Sequence, residues 1–127
     1  MIRKTQAQTF KYGVGKDGIE ITCSVPVYTC SQCQFTWADW VGEEARHAAI
    51  CRHFGLLTPA EILAIRDSYH LSQAEFSRIT GLGEASLSRW ETGAQLQNAA
   101  NDRLLRLVRA DPRNLRRLQE LADADAA

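Results

Sequence analysis

Cys30 and Cys33 are separated by two residues, and His47 and Cys51 follow with three between them. Thiolates and imidazoles are the ligands zinc prefers, and the full spacing Cys-x2-Cys-x13-His-x3-Cys is close to that of a ββα zinc finger. His47 and Cys51 lie one helical turn apart, so a helix would place both on one face opposite the Cys30–Cys33 knuckle. Four protein ligands leave no open position for water, so such a zinc would be structural. His53 is a rival ligand, and Cys23 has no place in the set. Two other readings stay open. Cys51 and Cys23 can be small core hydrophobes with His47 at the surface, and the Cys30–Cys33 pair can be a redox disulfide. No carboxylate pair, phosphate loop or oriented nucleophile–base pair accompanies these residues, so no enzymatic activity is expected.

A second group of residues, from Ser72 to Glu91, has the requirements of two helices crossing steeply. Such a pair needs a small residue at the crossing, a glycine in the turn and an apolar anchor on the second helix. Ser77, Gly81 and Leu87 stand at those places, with Phe76, Ile79 and Leu82 completing a small core. This is the helix-turn-helix arrangement, whose second helix enters the major groove of DNA. Its exposed positions are Glu84, Ala85, Ser86, Ser88 and Arg89. Arginine suits a bidentate contact with guanine, and serine hydroxyls reach bases or phosphates. Gln73, at the start of the first helix, is placed for a backbone phosphate.

The elements that must hold these residues are punctuated locally. Gln8 to Tyr12 and Ile19 to Val25 alternate with period two, and Gly13, Gly15, Asp17 and Gly18 between them predict a β-hairpin. Pro26 argues for an edge or a bend. Asp39 can cap a helix ending at Gly55, and Phe35, Trp37 and Trp40 are expected to fill the core beneath it. Thr58-Pro59-Ala60-Glu61 and Ser72-Gln73-Ala74-Glu75 are capping boxes. Each is flanked by a hydrophobic staple, Leu57 with Ile62 and Leu71 with Phe76. Helices beginning at Glu84, Asn98 and Pro112 follow, and the Ala/Asp-rich end is expected to fray.

Composition bounds the rest. The chain has 127 residues, with 15 basic and 15 acidic side chains and no formal net charge. A general polyanion-binding tail is excluded, although six arginines (Arg103, Arg106, Arg109, Arg113, Arg116 and Arg117) crowd one stretch with Asp111 as its sole acid. The longest strictly apolar runs, Ala48 to Cys51 and Ile62 to Ile65, are far short of a membrane span. No apolar region follows the basic residues near Met1, so a cytoplasmic protein is expected.

Leu71-Ser72-Gln73-Ala74-Glu75-Phe76, the Gly81-Leu82-Gly83 turn and Ser88-Arg89-Trp90-Glu91-Thr92-Gly93 resemble the Xre family of helix-turn-helix regulators. With the preceding Tyr28-Thr29-Cys30-Ser31-Gln32-Cys33, the chain resembles MqsA-type antitoxins, in which a small zinc domain precedes an Xre domain. The resemblance implies a homodimer held through the helix-turn-helix half, a palindromic operator in its own promoter and an mRNA-cleaving toxin as partner. The recognition-helix arginine of the motif falls on Arg89. The asparagine used for base contact in that family falls on Ala85. The Cys-x2-Cys pair that usually opens the zinc domain has no counterpart before Cys23.

The expectation is an α+β chain. Residues 1–54 form a small strand-rich zinc-binding domain, and residues 55–127 an all-α, five-helix, Xre-type DNA-binding domain. The function expected is sequence-specific repression of duplex DNA by an antitoxin. The alternatives are a regulator without a toxin and a zinc-ribbon protein-interaction module.

Overall fold

The computed structural model describes residues 2–13, 18–37 and 40–126. The fold is α+β and divides into two compact units, Met1–Gly55 and Leu56–Ala127.

The first unit is a three-stranded antiparallel sheet, order β1-β2-β3, with one helix. Strands β1 (Ile2–Tyr12) and β2 (Ile19–Thr29) pair along their whole length, from Ile2 opposite Thr29 to Tyr12 opposite Ile19. Both strands are therefore longer than the alternating patterns alone suggest. Gly13 takes a positive φ of 100° as the chain leaves β1. Gly15 and Asp17 of the expected turn lie outside the described residues, as does the expected cap Asp39. The short β3 (Thr36–Trp37) pairs only with Tyr28 and Thr29. Pro26 thus sits where β2 has a single neighbouring strand, the setting in which a missing N–H is tolerated.

β2 is two-faced. Ile21, Val25 and Val27 are buried while Glu20, Thr22 and Ser24 are exposed. Helix α1 (Trp40–His53) packs on β2 and contributes the buried Ala49 and Cys51. Arg46 ties the helix to the sheet by donating to Gln8 Oε1 at 2.6 Å and pairs with Glu43 one turn back. Phe35, expected in the core, is 63% exposed, because it lies in the turn after the cysteine pair. The side chains of Trp37 and Trp40 lie outside the described set.

The second unit is five helices: α2 (Pro59–Ser68), α3 (Gln73–Thr80), α4 (Glu84–Thr92), α5 (Ala99–Ala110) and α6 (Pro112–Ala126). Their starts follow from short-range hydrogen bonds. Thr58 Oγ1 accepts the Glu61 N–H at 3.3 Å while Glu61 Oε1 accepts the Thr58 N–H at 3.1 Å, a complete capping box. Ser72 Oγ accepts the Glu75 N–H at 3.1 Å, and Asn98 Oδ1 accepts the Asn101 N–H at 2.8 Å. At Ser72 the reciprocal bond from the glutamate is not made among the described residues. Both staples close on the core, where Leu57, Ile62 and Phe76 are fully enclosed and Leu71 packs against them. α6 continues to Ala126, and Asp123 accepts from Arg78 at 3.2 Å.

A buried polar network joins the start of this unit to α5. The Asp102 side chain is 5% exposed. Its Oδ1 accepts the Leu57 N–H at 2.8 Å and the Gln97 amide at 3.1 Å, and its Oδ2 accepts Arg106 Nε at 2.7 Å. Gln97 also donates to the Leu57 carbonyl at 2.8 Å. Burial alone would raise the Asp102 carboxyl, but the Leu57 N–H, Arg106 and Gln97 outweigh it and hold the group below its ordinary value. A carboxyl so depressed contributes stability that is fully present above its unfolded value of about 3.9. That contribution is lost as pH falls through the folded value. Asp102→Asn is therefore expected to lower stability by about 1–3 kcal/mol at pH 7 and to flatten its decline below about pH 4. Urea midpoints at both pH values check this, and an unchanged acid slope would remove Asp102 from the account.

Candidate DNA-binding face and cysteine cluster

Helices α3 and α4 are joined by Gly81-Leu82-Gly83. Gly81 closes α3 in the left-handed region at φ 79°, which glycine adopts without a Cβ penalty, and Gly83 caps α4. Ser77 at the crossing donates its hydroxyl to the Leu82 carbonyl, and Thr80 Oγ1 donates to the Phe76 carbonyl at 2.7 Å. Leu87 anchors α4 with no exposed surface, and Trp90 beside it is 4% exposed. This burial turns the opposite face of α4 outward. Glu84, Ala85 and Arg89 are exposed, and Ser86 and Ser88 are half-buried. Among the described residues Arg89 makes no ion pair.

Gln73 is also on this unit's surface in part, but its amide is engaged. Its Nε2 donates to Glu91 Oε1 at 3.2 Å. Glu91 in turn receives two bonds from Arg66, Nε to Oε2 at 3.0 Å and Nη2 to Oε1 at 2.8 Å, while Arg66 Nη1 donates to the Leu71 carbonyl at 2.8 Å. One carboxylate therefore fastens the last turn of α4 to the end of α2 and the start of α3. Neither Arg66 nor Glu91 stands out in the sequence, because 25 residues separate them.

The arginine-rich stretch is less basic in space than in sequence. Arg106 pairs with Asp102, Arg109 with Glu61 at 3.4 Å and Arg113 with Asp111 at 2.8 Å. Arg103 and Arg116 remain exposed without an ion pair among the described residues. Of the leucines in α5 and α6, Leu105 and Leu115 are core, whereas Leu107 and Leu121 are 57% and 65% exposed.

The four cysteine-and-histidine candidates do not converge. Cys30 and Cys33 lie in a tight turn closed by Cys30 N–H to Phe35 O at 2.8 Å and Gln34 N–H to Cys30 O at 3.0 Å, with Gln34 at φ 62°. The backbone N–H groups of Cys33 and Gln32, and then the Cys33 thiol, hydrogen-bond the Cys30 sulfur and hold its thiol below the ordinary value. Cys51 is fully buried, and His47 is half-buried on the same helix, with burial pushing its imidazole down. His53 packs its ring edge-on against Phe54, with centroids 5.1 Å apart.

The end of α1, at Ala49, Arg52 and His53, lines a cleft with residues Glu20 to Ser24 of β2. Among the described residues, no group of three or more His, Cys, Asp or Glu could hold a metal ion. Among the described residues these four do not assemble a four-ligand zinc site.

Among the described residues no helix is long and apolar enough to cross a membrane. Residues 1–119 match the family model of the antitoxin component of a bacterial toxin-antitoxin system, MqsA. A relative named antitoxin HigA-2, from Vibrio cholerae serotype O1, is 32% identical over 65 residues, which is 51% of this chain and 62% of the relative. The chain thus spans less than two thirds of that relative's length. With the match covering both units, from the strand pair to α6, the chain belongs to the MqsA antitoxin family.

Proposed function

We propose that this protein is an antitoxin that binds duplex DNA as a homodimer, represses its own operon and neutralises an mRNA-cleaving toxin. The observation that carries the DNA-binding part is the α3–turn–α4 pair, with Leu87 buried and the face bearing Arg89 turned to solvent. In this reading α4 lies in the major groove, Arg89 and Ser88 address base edges, and Glu84, Ala85 and Ser86 border the contact. Arg103 and Arg116 supply phosphate contacts. Gln73, at the start of α3, addresses a backbone phosphate, and its amide also steadies α4 through Glu91. The exposed Leu107 and Leu121 are the apolar side chains available to a two-fold contact, which matches a palindrome with half-sites about one helical turn apart. The family match supports the toxin as partner.

The test uses a duplex from the protein's own promoter and a scrambled duplex of equal length. Arg89→Ala is expected to weaken the promoter complex by about 1–3 kcal/mol, roughly 5- to 150-fold, and to leave the scrambled complex and the salt slope nearly unchanged. An equal loss on both duplexes would make Arg89 a phosphate contact. Promoter affinity indistinguishable from scrambled affinity in the wild type would overturn the repressor reading.

A further inference from the structure

The cysteine turn has a chemistry that DNA binding does not use. Cys30 and Cys33 stand three residues apart within one tight turn, and Cys33 is exposed. The turn is closed at Cys30, whose N–H donates to the Phe35 carbonyl at 2.8 Å and whose carbonyl accepts the Gln34 N–H at 3.0 Å, with Cys33 between them. No third histidine, cysteine or carboxylate joins them among the described residues. The other two cysteines are placed differently: Cys51 is buried against β2 and Cys23 is half-buried within that strand. Two adjacent thiols held without further ligands form a dithiol, and the reaction open to a dithiol is closure to a disulfide.

We propose that Cys30 and Cys33 are a thiol–disulfide redox site that closes under a low-molecular-weight disulfide such as glutathione disulfide. The exposed Cys33 meets the oxidant first. Its thiolate attacks one sulfur of glutathione disulfide, a Cys33–glutathione bond forms, and one glutathione leaves as thiolate. The Cys30 sulfur then attacks the Cys33 sulfur, the Cys30–Cys33 bond forms and the second glutathione leaves. Two protein thiols lose two electrons and two protons, and one glutathione disulfide gains them as two thiols. Excess glutathione runs the same steps backwards. The bond would clamp the turn that joins β2 to β3.

The experiment takes the full chain as purified, measures its zinc content, and incubates it across a series of glutathione to glutathione-disulfide ratios. Acid quenching, alkylation and peptide mapping then locate each thiol. The wild type is expected to lose two of its four alkylatable thiols together. Both should map to the peptide spanning residues 30–33, and excess reduced glutathione should restore them. Cys30→Ser is expected to stop as a mixed disulfide on Cys33. Three results would overturn the proposal. These are one zinc per chain that protects both thiols, a disulfide that includes Cys23 or Cys51, or four thiols still reactive at the most oxidising ratio.

Discussion

Glu91→Ala is expected to destabilise the helical unit by about 3–5 kcal/mol, although the substitution removes only a surface-sized side chain. The Glu91 side chain is 5% exposed and Arg66 17% exposed, so the pair is largely withdrawn from water. Deleting the carboxylate leaves the guanidinium with the Leu71 carbonyl as its remaining acceptor and frees the Gln73 amide. The cost is that of a largely buried cation left with only the more distant attraction of Asp67, which exceeds what the intact pair contributes. The residual exposure of Arg66 lets its head reach toward water, placing the loss near the lower end of the range. Arg66→Met combined with Glu91→Leu should recover most of it, since an apolar pair of similar volume carries no unpaired charge. Urea denaturation of the two single variants and the double variant, followed by the helical signal, gives the coupling directly. A Glu91→Ala loss under about 1 kcal/mol would reduce the pair to an ordinary surface salt bridge.

What was legible in the sequence was local. The caps at Thr58, Ser72 and Asn98 act on N–H groups three residues away, and Gly81 and Gly93 close helices with their own φ of 79° and 83°. The staples were legible for the same reason, because each spans a single helix start. The α3–α4 pair followed from these signals, together with the burial of Leu87 and Trp90.

What was not legible depends on partners brought from far along the chain. Asp102 meets the Leu57 N–H across 45 residues and Arg109 meets Glu61 across 48, so the charge of the arginine stretch cannot be read from its composition. Gln73 has the residue type and the helix position for a phosphate contact, and its amide also donates to Glu91, 18 residues away, which the sequence does not announce. The cysteine spacing is a different case. Counting residues between Cys33 and His47 does not report how they are spent. They are spent on the rest of the tight turn, on β3 and on the first half of α1, and among the described residues no third ligand is brought to the Cys30–Cys33 pair.

Phe76 occupies the staple position of α3, has no exposed surface, and packs in the core that also contains Leu57, Leu87 and Trp90. Phe76→Ala should therefore cost about 3–5 kcal/mol, combining lost transfer energy with a cavity that short, mutually braced helices cannot collapse around. That is a large part of the roughly 5–15 kcal/mol available to a domain, so a sizeable unfolded fraction is expected at 37 °C. Phe76→Leu keeps most of the volume and should cost under about 1.5 kcal/mol. The two variants separate folding from recognition. The Arg89 face is untouched in both, so promoter affinity per folded molecule should stay at the wild-type value while the folded fraction falls. Saturating promoter duplex should then pull Phe76→Ala back toward the folded state, by about 2.7 kcal/mol at a duplex concentration one hundred times Kd. Helical signal measured with and without duplex checks this. Failure of the duplex to restore the helices would mean either that α4 is not what the DNA stabilises or that the cavity has rearranged the α3–α4 crossing. Measuring Phe76→Leu in parallel distinguishes these, because a rearranged crossing spares Leu and a misassigned interface does not.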